Sequence, residues 1–207
     1  MATNNIALYG FRWQRSRFGL NEQTERMYVA SGYQASPSGV SVDLRPGDPV
    51  IKVSDGTVAL AAAGNATYGI ISAVGQYYDG SVMRPGGPSL PGGTTWGSIQ
   101  ERVSVVHVIP AAGHVFEIDC DDNTTATTES AYRAYIGENA DITINQVSGS
   151  TLASPLLDIS THGTANTLVW RIVDLALGGN TDFAGTRVKL LVTCNLVQQA
   201  PWTILGI

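Results

Sequence analysis

Arg187-Val188-Lys189-Leu190-Leu191-Val192-Thr193-Cys194-Asn195-Leu196-Val197-Gln198 is the stretch that decides the fold of this 207-residue chain. Val188, Leu190, Val192, Cys194 and Leu196 fall at every second position, and Arg187, Lys189, Thr193 and Asn195 stand between them. That period places one face on a core and the other in water, which is the pattern of a strand. Residues 168–175 repeat it, with Leu168, Trp170 and Ile172 on one side.

Working outward, the same grammar recurs. Residues 115–120 put Phe116, Ile118 and Cys120 on one face and turn Glu117 and Asp119 away. Residues 102–109 put Val103, Val105, His107 and Ile109 together, and Pro110-Ala111-Ala112-Gly113 between these two runs reads as a hairpin turn. Residues 142–145 and 155–159 are further short strands. Upstream, Pro46-Gly47-Asp48 turns the chain into residues 50–54, Asp55-Gly56 signals a hairpin into 57–63, and 67–78 is a longer strand that bends at Gly69 or Gly75. Asp79-Gly80 leads into 81–84. Only residues 127–135 suit a short helix, capped by Thr127 or Thr128, with Glu129 in its first turn and Gly137 ending it. The loop over residues 85–95 carries two Pro-Gly-Gly-type breaks and cannot sit in a central strand. It is either a domain boundary or a surface loop.

The fold class is therefore all-β. Residues 46–98 form a small β-barrel-like module, and residues 99–207 a larger β-sandwich or barrel. Residues 1–45 read as an extended N-terminal arm, with an edge strand of the main fold as the alternative.

Composition narrows function. Charged residues are 14% of the chain against about 25% in ordinary domains, and the net charge is -5. Lys52 and Lys189 are the only lysines. An acidic chain with so few lysines lacks the basic stripe of a nucleic-acid binder. No apolar run is long enough to span a membrane, and Met1–Asn5 is not the basic start of a secretory leader. Cys120 and Cys194 are too few for a disulfide scaffold. The expected place of synthesis is a reducing cytoplasm.

Catalytic signatures are missing: no Gly-x-Ser-x-Gly, no phosphate-binding lysine loop, no His-Glu-x-x-His. Asp119-x-Asp121-x-Asn123 starts like a calcium loop, but Thr124 stands where Gly is needed and Ser130 where Glu is needed. His107 and His114 would face each other across a hairpin, yet no further ligand completes a site. Both cysteines read as small core hydrophobes. Glu101, Glu117, Glu129 and Glu138 offer carboxylate pairs of the sort any chain offers. No cofactor, metal or catalytic residue is expected, and the chain is not expected to be an enzyme.

What stands out is Phe11-Arg12-Trp13-Gln14-Arg15-Ser16-Arg17-Phe18, three arginines interleaved with three aromatics. Arginine and aromatic residues anchor protein interfaces, and they also stack on bases. The acidic remainder favours the protein interface. Arg12, Trp13, Arg15, Arg17 and Phe18 are the expected partner contacts, and deleting residues 1–26 is expected to weaken binding and leave the β-core folded.

The run Ile109-Pro110, Val115–Asp119, Gly137-Glu138-Asn139-Ala140-Asp141, 154–160, Trp170–Leu175, 180–185 and 188–196 resembles a class of tailed-phage virion proteins that decorate or cement the head. Pro46-Gly47-Asp48-Pro49-Val50, with Asp55–Val58 and Tyr68–Ile71, looks like the small β-module of many such decoration proteins. The resemblance implies a non-enzymatic component on the capsid surface that binds the major capsid protein, often as a homotrimer at local threefold positions. It does not extend to residues 1–45 or to the 85–95 loop. The alternatives are another virion part (connector, tail component or head-fibre base) and a carbohydrate- or receptor-binding β-module using Tyr77, Tyr78, Trp96 or Trp202 as sugar platforms.

Overall fold

A computed structural model describes residues 10–17, 23–30, 43–78, 82–90, 104–121, 126–146, 153–176, 183–184 and 187–198. In chain order the elements are β1 (Arg12–Ser16), β2 (Glu25–Tyr28), β3 (Pro49–Lys52), β4 (Val58–Leu60), β5 (Gly69–Val74), β6 (Tyr77–Tyr78), β7 (Met83–Arg84), β8 (Val105–Pro110), β9 (His114–Asp119), α1 (Glu129–Arg133), β10 (Asn139–Gln146), β11 (Ala153–Gly163), β12 (Trp170–Leu175) and β13 (Lys189–Cys194). The all-β expectation holds. The one helix among the described residues is capped where the sequence places it: Thr128 Oγ1 accepts from the Ala131 amide, and Gly137 (φ 94°) ends the turn that follows.

The five-stranded sheet runs β2-β8-β5-β3-β4, every neighbouring pair antiparallel. Its two edges meet at a parallel bridge, Val29 to Val58, where the Ala30 amide donates to the Val58 carbonyl. An odd number of antiparallel strands leaves the first and last pointing the same way, so closure has to be parallel. The closed sheet encloses Met27, Val29, Val50, Val58, Ile71, Val74, Val106 and Val108. Leu44 and Leu90 join this core and exchange main-chain hydrogen bonds, so residue 90, within the 85–95 loop, is part of the module's interior. At the β3–β4 hairpin Gly56 takes φ 84°, and Asp55 Oδ1 accepts from the Thr57 amide, as the Asp-Gly pair predicts.

The six-stranded sheet runs β1-β9-β13-β12-β10-β11. It closes by the same device. Cys120, just past β9, makes a parallel bridge to Leu157 of β11, and the Asp121 amide donates to the Leu157 carbonyl. Phe116, Ile118, Ile142, Leu157, Trp170, Ile172, Leu190 and Val192 fill this interior. β1 lies along the first part of β9, outside the closed ring.

Three expectations need correction. Residues 110–113 do not make a hairpin: β8 and β9 belong to different sheets, and the turn at Gly113 (φ 76°) carries the chain from one to the other. For the same reason the sheets do not divide at residue 98/99, since β8 sits centrally in the first sheet, between β2 and β5. Within residues 1–45 the edge-strand alternative replaces the arm where the chain is described: residues 12–16 and 25–28 are edge strands, one in each sheet, and Phe11 is buried at 3% exposure. A fully apolar face at β8 explains the second point. Val106 and Val108 line the first core while Ile109 reaches the second, so both sides of β8 are covered.

The two rings are joined at their flanks. The Phe11 amide donates to the Gly47 carbonyl (2.9 Å). After β13 the chain returns to the first ring, where Thr67 bonds Leu196 and Gln198 through its main chain.

Candidate functional site

The arginine–aromatic segment is β1 itself, and its local geometry decides what it presents. Arg12 pairs with Glu117 and Trp13 with Phe116, but Arg15 pairs with Val115 and Ser16 with His114. Gln14 is the extra residue of a β-bulge. Without it the period of two would turn Arg15 and Arg17 to the face opposite Arg12. With it, Arg12, Arg15 and Arg17 all lie on the outer face and are exposed, while Trp13 and Ser16 turn toward the core.

The outer face around β1 is charged. Glu117 is shared by Arg12 (3.9 Å), Lys189 (2.8 Å) and the Gln14 side-chain amide (2.9 Å). Arg15 and Arg17 form no ion pair among the described residues. Asp119 nearby has its carboxyl raised by burial, with Lys189, Arg187 and Arg12 opposing.

The aromatics face the other way. Phe11 stacks against Trp170 with ring centres 4.3 Å apart and meets Phe116 edge-on. Trp13 is half-buried, and its Nε1 donates to His114 Nδ1 at 2.9 Å. Of the expected contact residues, the structure groups the three arginines on one surface and separates Trp13 from them; Phe18 lies outside the described residues.

Beside β1 lies a cleft of about 260 Å³ between the rings. Phe11, Arg12 and Trp13 form one wall; Pro46, Gly47, Ile70–Ser72 and Ile109 form the other. Sequence reading missed this cleft because its two walls are far apart in the chain. The Pro46-Gly47-Asp48 turn on its far wall was visible, but not its role as a clasp. Gly47 has φ 95°, and a Cβ there would stand 2.7 Å from the Gly10 nitrogen. Its amide donates to Ile71 and its carbonyl accepts from Phe11. Below it Asp48 is buried, with Oδ2 accepting from the Arg45 amide at 2.7 Å. Burial pushes the Asp48 carboxyl up to about 7, against the lowering effect of that hydrogen bond and of the Arg45 charge; Asp43 adds to the rise.

The remaining candidates disperse. His107 and His114 sit on strands of different sheets. His162 Nδ1 meets Glu138 Oε2 at 2.6 Å beside the Tyr135 ring, and Glu129 pairs with Arg133. Asp121 Oδ1 accepts from the Ile159 amide, tying β11 to the end of β9, and Asn123 lies outside the described residues. Among the described residues no group of three or more His, Cys, Asp or Glu could hold a metal. Cys120 is buried in the core. The Cys194 thiol is pushed up to about 12 by burial and donates to the Leu196 carbonyl, which leaves little thiolate at neutral pH. Tyr77 leans on the first core, and Trp96 and Trp202 lie outside the described residues. No helix among the described residues is long and apolar enough to cross a membrane.

Comparison with protein families, curated proteins and solved structures finds no match to this chain.

Proposed function

We propose that this chain is a non-enzymatic virion structural protein that decorates a phage capsid, binding as a trimer across neighbouring major capsid protein subunits and stabilising the shell. The single observation that supports the reading is the row Arg12, Arg15 and Arg17, gathered on one face of an edge strand by a bulge. An edge strand offers unpaired main-chain groups, and exposed arginines give charge-assisted contacts, so β1 is suited to lie against another protein. The fold adds rigidity: two sheets closed on themselves and sharing a core hold that edge in a fixed place. Repetition over a symmetric lattice multiplies individually weak contacts.

The test is to mix the purified chain with emptied, expanded shells of the phage that carries it and to count copies per particle. Occupancy in proportion to capsid subunits, with a raised shell-disruption temperature, is the expected result. Copies confined to one vertex would make it a connector, and no shell binding together with capture by a glycan array would make it a receptor-binding module.

A further inference from the structure

The cleft beside β1 carries more than a general interface. The Phe11 amide already donates outward to Gly47, which forms the first rung of a ladder along the edge of β1 that faces away from β9. Along a strand the amides alternate in direction, so the Trp13 amide, before the bulge, points the same way as that of Phe11. Trp13 is also where the cleft lies, and among the described residues no strand occupies that edge. A first rung at Phe11, a Trp13 amide with no strand beside it among the described residues, and a cleft therefore follow one another in a line. On the outer side of the same edge stand Arg15 and Arg17, without carboxylate partners among the described residues, in a chain whose net charge is -5.

The geometry points to β1 as a docking edge for an extended, carboxylate-bearing segment of a partner protein, which adds a strand in the cleft and sets its acidic side chains against Arg15 and Arg17. Strand addition draws affinity from main-chain hydrogen bonds and specificity from alternate side chains. A segment alternating acidic and apolar residues places its carboxylates on the arginine face and its apolar side chains toward Ile70 and Ile109. Nucleic acid is the competing polyanion. It is disfavoured because a single strand needs aromatic platforms, whereas Phe11 is buried and the Trp13 ring is turned inward onto His114. The inference rests on the proposed function only for who the partner is, namely a capsid subunit.

The test uses the full chain and a blocked peptide of alternating Glu and Val, about ten residues long so that it spans β1. Binding is followed by amide hydrogen exchange and by titration. The expected result is slowed exchange at Trp13 on binding. Arg15→Glu and Arg17→Glu, both at exposed positions, each weaken binding about fivefold, and Lys in place of Glu in the peptide removes it. A peptide of the same charge interrupted by proline is expected to bind at least about tenfold more weakly, since it cannot complete the ladder. Equal binding of the proline peptide or of oligothymidylate, or binding with no change at Trp13, overturns the inference. Shell binding separates the two claims. Arg15→Glu/Arg17→Glu protein that still coats shells fully sinks the docking edge and spares the decoration reading. Wild-type protein that takes the peptide but ignores shells does the reverse.

Discussion

Single residues at the junction of the two rings set how the molecule responds to its surroundings. Asp48 is 4% exposed, and its carboxyl is raised from 3.8 to about 7, chiefly by burial. The folded state therefore holds this proton more tightly than the unfolded chain does. Its contribution to stability is full below about pH 4 and is lost as pH rises through about 7. Wild-type protein should show a falling urea midpoint across that window, with a slope worth on the order of 2–4 kcal/mol in total. Asp48→Asn should flatten that part of the profile, and parallel profiles for the two proteins would refute the assignment. Gly47, its neighbour, sits at φ 95° with no room for a Cβ beside Gly10. Gly47→Ala should cost about 2 kcal/mol or more in denaturant unfolding, whereas Gly56→Ala, with open space around it, should lose only the backbone component.

At the scale of the element, β1 shows what sequence can and cannot convey. The strands β3, β5, β9, β12 and β13 were legible, though not their end residues, because alternation is a local property, and Asp55-Gly56 was legible because its turn demands a positive φ. The bulge at Gln14 was not legible. Arg12, Arg15 and Arg17 break the period of two, so the segment read as an arm; one inserted residue restores the period in space and leaves no trace in composition. This makes a sharp prediction. Deleting Gln14 forces Arg15 and Arg17 toward the core or pulls β1 out of register, and should cost on the order of 3 kcal/mol. Gln14→Ala keeps the count and loses only an exposed hydrogen bond to Glu117, so its cost should stay within about 0.5 kcal/mol. Similar costs for the two variants would mean that the bulge does not set the register.

For the molecule as a whole, the turn at 110–113 was misread because pairing between distant strands is not written in any local pattern. Two adjacent β-runs joined by a short turn look like a hairpin whether they pair or part. Here they part, and as a result one core draws residues from both rings: Ile70 and Ile109 of the first, with Ala111 of the connecting turn, lie with Phe116, Trp170 and Ile172 of the second. Phe11 seals that junction. Its ring rests on Trp170 and its amide on Gly47 of the opposite ring. The rings should then unfold together, in one calorimetric transition whose enthalpy matches the van't Hoff value, where a pair of independent domains would give two. Phe11→Ala removes a buried aromatic at about 3–5 kcal/mol. At about 2–4 °C per kcal/mol for a chain of this size, the whole transition should move down by about 10 °C. Removal of residues 1–26 deletes Phe11 and β1 together, so the truncated chain should fail to hold the second core, contrary to what an arm would allow. If Phe11→Ala instead split the transition in two and left the upper one in place, the shared core would not be what couples the rings.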